Sequence, residues 1–161
     1  MEIEFVVADY ANAQHGKDIC ALMDEYAQDP MGGAEPLSDY VKSHLVAALA
    51  ELPNAMSILC YVDGNAAALA NCIAGFSTFK CKPLLNIHDF MVSRNYRGLN
   101  LSQGLLEKVE EQARQMGCCK ITLEVLSGNE PAQRSYRKFG FAGYELDPKM
   151  GKAEFWQKEI K

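Results

Sequence analysis

The sequence predicts a mixed α/β fold, with strands and helices interleaved along 161 residues. Three observations lead there. Short runs rich in Val, Ile and Leu alternate with stretches whose apolar residues recur at helical spacing. Asp63-Gly64-Asn65 separates two strand-like runs, a signature of a tight antiparallel hairpin. Residues 86–113 pass from an apolar run through the basic turn Tyr96-Arg97-Gly98 into a helix, with Leu101, Leu105, Leu106, Val109 and Ala113 on one stripe.

Taken in order, Ile3 to Ala8 reads as a first strand. From Ala13 to Ala27 the residues Ile19, Leu22, Met23 and Tyr26 repeat at helical spacing, and Asp29-Pro30-Met31-Gly32-Gly33 stops that helix in a flexible turn. Ser38 is the expected cap of a second helix reaching Leu49, with Val41, Leu45, Val46 and Leu49 as its buried stripe. Strands follow at Met56 to Val62, Ala67 to Phe79 and Leu84 to Val92. The helix after the basic turn ends before Gly117, and Lys120 to Leu126 reads as a strand parallel to the one before it. A short helix from Asn129 to Phe139, a strand around Tyr144 and a last strand from Ala153 to Ile160 complete the chain. There is no repeat or linker, so a single domain over residues 1–161 is expected.

Composition excludes several classes. An apolar share of 48% with 23% charged residues is that of a globular protein, and no apolar run reaches membrane-spanning length. The acidic start Met1-Glu2-Ile3-Glu4 is unlike a secretory signal, so a cytoplasmic protein without membrane contact is expected. The six cysteines form no C-x-x-C pair and no metal-ligand spacing with the histidines, so neither metal nor disulfide framework is expected, and most of these thiols should be buried. Net charge is −5, which disfavours nucleic acid. The halves differ: residues 1–80 carry a net −8 and residues 81–161 a net +3. The positive share gathers as Arg94, Arg97, Arg134, Arg137 and Lys138, where an anionic cofactor would be attracted.

The turn itself suggests a phosphate nest. Asn100 with Gln103 three residues on has the spacing of a capping box, which would leave the backbone N–H groups around Gly98 to Ser102 directed outward. The segment Arg97-Gly98-Leu99-Asn100-Leu101-Ser102 resembles the Arg/Gln-x-x-Gly-x-Gly/Ala signature of the GCN5-related N-acetyltransferases, the GNAT superfamily. Asn129-Glu130-Pro131-Ala132 through Tyr136-Arg137-Lys138-Phe139-Gly140-Phe141 is similar to that family's Asn-x-x-Ala-x-x-x-Tyr-x-x-x-Gly-Phe segment, and the two stand in the family's order. Asn100 and Ser102 depart from the small residues usual at their positions. Asparagine tolerates a left-handed backbone, and serine adds a donor.

The resemblance implies a mostly antiparallel sheet with one splayed parallel strand pair and flanking helices. It implies acetyl-coenzyme A in that splay, with its pyrophosphate on Arg97, Gly98, Leu99, Asn100, Leu101 and Ser102. The pantetheine arm would pair along Phe90, Met91 and Val92, with Asn129 and Tyr136 beside it. The Val92 N–H would be the oxyanion donor and Tyr136 the general acid. The base is open: the strand positions of Asp89, His88 and Glu124 make Asp89 and Glu124 candidates, and related enzymes use water chains in place of a side-chain base. The implied activity is acetyl transfer by direct attack of a small-molecule amine in a ternary complex. Peptide or protein N-acetylation and acyl-coenzyme A sensing without transfer remain open beside it.

Acceptor recognition is expected from the first two helices and the loop between them. Glu25, Asp29 and Met31 would meet the acceptor, and Asp24 and Glu35 add negative charge suited to a cationic amine. An acidic solvated helix face accounts for the same residues. The apolar last strand, with Phe155 and Trp156, would fit either an internal edge or a homodimer contact.

Overall fold

A computed structural model describes all residues 1–161. Its centre is a five-stranded sheet in the order β1 (Ile3–Val7), β2 (Ala55–Val62), β3 (Asn65–Ser77), β4 (Lys82–Val92), β5 (Ile121–Leu123). The first three pairings are antiparallel and the β4–β5 pairing is parallel, which is the mixed, mostly antiparallel arrangement expected. The β2–β3 hairpin closes through Asp63 and Gly64, both at positive φ as a two-residue loop of this kind requires.

Helices cover both faces. On one lie α1 (Ala13–Gln28), capped by the Asn12 side chain, and α2 (Asp39–Glu51), capped by Ser38. Ile19 and Leu22 of α1 pack on Leu59, Leu69 and Met91. On the other lie α3 (Leu101–Gln115) and α4 (Glu130–Phe139). There the larger core joins Leu101, Leu105, Leu106, Val109 and Ala113 of α3 to Ile58, Cys60, Ala70, Leu85 and Ile87 of the sheet. No helix is long and apolar enough to cross a membrane.

A bulge in β4 decides how the two faces are shared. Asn71 of β3 pairs with Asp89, but Cys72 pairs with Ile87, so His88 is the extra residue. Before it, Leu85 and Ile87 point toward α3; after it, Phe90 and Val92 do, while Met91 packs under α1. A strict two-residue alternation would have put Phe90 and Val92 on the wrong face. The parallel pairing of β4 with β5 covers only Leu85, Asn86 and Ile87, ending where the bulge begins.

Several expectations are corrected here. The strand expected from Lys120 to Leu126 is only three residues long, because beyond Leu123 the bulged β4 no longer offers a partner. Residues 153–161 are exposed and form no strand; the tail contributes a single bridge, Glu145 to Lys152. Its alternating pattern describes amphipathicity, and a strand also needs a neighbour to bond. The loop after α1 is an ordered one-turn 3-10 helix, Pro30–Gly32, capped by the Asp29 carboxylate. Only Cys60 and Cys72 are buried; Cys20 and Cys118 are half-buried, and Cys81 and Cys119 are exposed in turns at the ends of strands.

Gly104 lies against β1. A Cβ there would sit 2.5 Å from Cζ of Phe5, so Gly104→Ala has to displace the ring. Overpacking costs about 1–3 kcal/mol. Alanine gains about 1 kcal/mol in a helix. The substitution should therefore lower stability in urea unfolding, and adding Phe5→Leu should recover part of the loss. Burial pushes the Cys60 thiol up to about 11 and the Cys72 thiol up to about 12. The unfolded chain gives up these protons first, near pH 9. Stability should hold below that pH and fall as pH rises toward 12, and Cys72→Val should flatten the fall measured from urea midpoints.

Candidate active site

Where β4 and β5 part, a cleft of about 630 Å³ opens, a volume suited to a small ligand. Its floor is Phe90, Met91 and Val92, and its walls are the end of α1 with the Asp29–Met31 turn and the start of α4. The free edge of β4 faces into it. The Ser93 N–H donates to the Ala67 carbonyl of β3, so the alternation of a strand turns the N–H and C=O of Val92 and Phe90 the other way, toward the cleft. The side chains of Phe90 and Val92 meanwhile pack toward the α3 core.

The basic turn closes one end. Gly98 has φ +85° and Asn100 φ +59°, so the chain enters α3 through two left-handed residues. The capping box does not form. From this conformation the Asn100 side chain makes no cap bond, and Gln103 instead donates to the carbonyl and hydroxyl of Ser135, both at 3.0 Å. The N–H groups of residues 98–103 consequently meet no acceptor within the chain, and they collect at the positive end of α3. Ser135 donates to Ser102 Oγ at 3.0 Å, which leaves the Ser102 proton free for the cleft it lines.

Tyr136 comes from α4, whose start is fixed by Asn129 capping Ala132 N–H and by Pro131 in the first turn. Its ring sits edge-on between Phe90 and Phe141, at centroid distances of 5.7 and 5.9 Å. Its hydroxyl has no partner within the chain. Burial, and secondarily the neighbouring Tyr26 phenol, push Tyr136 up to about 12. It is therefore fully protonated at neutral pH.

The wall that faces the basic turn across the cleft is acidic and touches it. Glu25 accepts from the Arg94 backbone N–H at 2.9 Å and lies 3.6 Å from the Arg94 guanidinium, and Asp29 lies 3.6 Å from Arg97. Tyr26 lines the cleft between them and is raised by burial, then by the Asp89 and Asp29 carboxylates. Asp89 lies just behind this wall, on the α1 face of β4. It accepts from Asn71 Nδ2 at 3.2 Å, and burial raises it although Asn71 and His88 pull it down.

The cleft thus brings together Glu25, Asp29, Met31, Phe90, Met91, Val92, Arg97, Ser102, Asn129 and Tyr136. Gly98, Leu99 and Asn100 shape the turn at its end without lining it, and Leu101 is a buried core residue of α3. Glu124 is exposed, follows the last residue of β5 and does not reach the cleft. The sequence reading missed Tyr26, taken as core because it falls on the apolar stripe of α1, and Ser135, whose role depends on how α4 packs against α3. It also missed Asn71 behind Asp89, inside a strand where nothing in the pattern distinguishes it. There is no group of three or more His, Cys, Asp or Glu side chains arranged to hold a metal ion.

Several solved structures share this fold. A ribosomal-protein-alanine N-acetyltransferase from Brucella melitensis biovar Abortus 2308 superposes with a TM-score of 0.71 at 14% identity, covering 99% of each chain. An aminoglycoside acetyltransferase from an uncultured soil metagenomic sample, in complex with sisomicin, has a TM-score of 0.77 at 12% identity, covering 98% of this chain and 97% of that one. AAC(6')-Iy in complex with the bisubstrate analog CoA-S-monomethyl-acetylneamine has a TM-score of 0.77 at 15% identity over 99% and 100%. In sequence, the uncharacterized N-acetyltransferase YdgE of Bacillus subtilis (strain 168) is 36% identical over 56 residues, 35% of this chain and 36% of the relative. YycN of the same organism, also an uncharacterized N-acetyltransferase, is 35% identical over 66 residues, 41% of each. The match spans about four tenths of these relatives or less. The model of the acetyltransferase (GNAT) family matches residues 19–141, most of the chain and all of the cleft-forming β4, α3 and α4. The chain belongs to the acetyltransferase (GNAT) family.

Proposed function

We propose that the whole chain works as one acetyltransferase domain, moving an acetyl group from acetyl-coenzyme A to the amine of a small, cationic acceptor by direct attack. The observation that carries this reading is one cleft in which a free β4 edge, an anion-ready turn, the Tyr136 hydroxyl and an acidic wall meet.

Each part fits one requirement of the chemistry. The open N–H groups of residues 98–103, with Arg97 and the Ser102 hydroxyl, suit the cofactor pyrophosphate. The outward N–H and C=O of Phe90 suit an amide of the pantetheine arm, and Asn129 lies beside the same path. The Val92 N–H suits the oxyanion that forms when the amine attacks the thioester carbonyl. Collapse of that intermediate expels the thiolate, which takes the Tyr136 proton. Tyr136 is fully protonated at neutral pH and its hydroxyl is unpartnered, so it has a proton to give to the departing sulfur.

Asp89, which does not itself line the cleft but lies behind Tyr26, is the base in this reading, acting through a water at the Tyr26 end; Glu124 is exposed beyond the end of β5. A base that must take a proton from an ammonium benefits from a raised carboxyl, and burial supplies it. Glu25, Asp29 and Met31 form the acceptor end, where two carboxylates favour a cation over a neutral alcohol.

Coenzyme A release should be followed across polyamines, aminoglycosides, amino acids and lysine peptides, with product identified by mass spectrometry. An acetylated small amine supports the proposal; acetylation of peptides alone replaces it with protein N-acetylation. Cofactor binding with no product from any amine points to a sensor, and no binding removes the coenzyme A assignment. Tyr136→Phe should lower kcat about a hundredfold, within the range for a general acid. Its affinity for acetyl-coenzyme A should hardly change. Asp89→Asn should lower kcat/KM at least tenfold while raising the thermal midpoint. The sign follows from the raised carboxyl: the folded state binds the Asp89 proton more tightly than the unfolded chain, so its ionisation above about pH 4 is destabilising. Asparagine removes that ionisation.

A further inference from the structure

Asp89 ends a polar row that crosses three strands. Ser57 of β2, Asn71 of β3 and Asp89 of β4 are register partners, on a sheet face whose neighbouring positions are Leu59, Leu69 and Met91. Ser57 is 1% exposed and Asn71 5%, so neither is placed there by solvent. Ser57 Oγ donates to Asn71 Oδ1 at 2.6 Å, and Asn71 Nδ2 donates to Asp89 Oδ2 at 3.2 Å. At the far end the Tyr10 hydroxyl lies 2.9 Å from Ser57 Oγ. Serine has one proton, already committed to Asn71, so Tyr10 must donate to Ser57. Every hydrogen bond in the row thus points the same way, toward the carboxylate. Replacing each polar member by an apolar residue of like size would cost such a sheet little, and leaving one unpaired would cost about 1–3 kcal/mol. A complete row of this kind is a device for orientation.

We propose that Ser57 and Asn71 are positioning residues, which hold the Asp89 carboxylate as a hydrogen-bond acceptor at the Tyr26 end of the cleft, with Tyr10 anchoring the row from the β1–α1 loop. This rests on the reading of the cleft as an amine acetylation site, where an ionised and fixed Asp89 is required. The second donor contact of Asn71 Nδ2, 3.3 Å to Met23 Sδ of α1, further selects the amide orientation with nitrogen toward Asp89. The groups facing Asp89 are Asn71 and the Cys72 thiol from β3, Tyr26 from α1 and His88 on its own strand. Of these only Asn71 and His88 favour the ionised carboxylate, and His88 is exposed on the outer side of the bulge. Asn71 is therefore the buried counterweight to desolvation.

The test reads the Asp89 carboxyl directly, by carbon-13 NMR titration of the aspartate-labelled protein with the signal assigned through Asp89→Asn. Asn71→Leu should raise the Asp89 midpoint by about one pH unit, a tenfold change in proton affinity. Ser57→Ala, which removes a single oxygen and keeps the test open should Asn71→Leu not fold, should raise it by about half a unit. In the Asn71→Leu background, Ser57→Ala should add nothing, because its action passes through the amide. With an accepted amine, the acidic limb of the kcat/KM profile should move by the same amounts while the KM for acetyl-coenzyme A stays fixed. A row that merely supports the fold predicts lower unfolding midpoints with the Asp89 midpoint and acidic limb unmoved, and that result overturns the proposal. Should the wild type acetylate no amine, acetyl transfer fails as a reading, and the carboxyl titration still decides whether the row positions Asp89.

Discussion

One extra residue in β4 sets the geometry of the cleft. A strand that alternates strictly can offer a continuous apolar face or a continuous polar one, but not an exchange between them partway along. The bulge at His88 makes that exchange. It carries Phe90 and Val92 onto the α3 side, where Phe90 meets Tyr136, and leaves Asp89 and Met91 under α1. It also ends the pairing with β5 after Ile87. The apolar wall, the exposed strand edge and the polar row of Ser57, Asn71 and Asp89 are three consequences of that single insertion. The bulge is held from the β5 side as well: the His88 ring bonds to Asn86 Oδ1, and Asn86 Nδ2 donates to Thr122 Oγ1 at 2.8 Å.

The cleft is kept at some cost to stability. Tyr26, Asp89 and Tyr136 are all buried enough to be raised, and two further effects add to burial: Asp89 acts on Tyr26, and Tyr26 on Tyr136. For the two phenols this is harmless at neutral pH, since both hold their protons. For Asp89 it is not, because an ionised buried carboxylate gains less from Asn71 than it loses from water. Cys60 and Cys72 are raised chiefly by burial, Cys72 also by Asp89, and both lie in the larger core, where they pack as small hydrophobes.

Most of the elements could be read from the sequence because their signals are local. The stripe from Leu101 to Ala113, the Ser38 cap and the Asp63-Gly64 turn each specify their structure within a few residues. The bulge was also written there, in the change of parity from Leu85 and Ile87 to Phe90 and Val92, although a run of apolar residues hides it. What was illegible depends on partners. Gln103 has the spacing of a capping-box residue, yet Ser135, thirty-two positions away, supplies its bonds. Phe155 and Gln157 alternate as a strand would, yet no strand lies alongside them. Glu124 sits in a run of strand formers, yet its strand ends one residue earlier, where β4 turns away. Tyr26 could not be told from core until the loop Asp29–Met31 had folded beside it.

The two arginine pairs across the cleft illustrate how weak contacts can still direct function. Each pair, Arg97 with Asp29 and Arg94 with Glu25, is 3.6 Å apart with an exposed arginine and a partly exposed carboxylate, and ion pairs open to solvent contribute less than about 1 kcal/mol. They do not hold the fold together. What they do is keep a positive turn and a negative helix end from carrying their full fields into an open cleft. In the proposed reading a pyrophosphate, which carries more charge than one carboxylate, would meet the free N–H groups of residues 98–103 together with Arg97 and would displace Asp29 at small expense. Arg97 turned to that anion would leave Asp29 uncompensated beside Tyr26 and Glu25. On the proposed reading the acidic wall would then attract a cationic amine more strongly, and the two halves of the cleft would be coupled through a contact whose weakness is what allows the exchange.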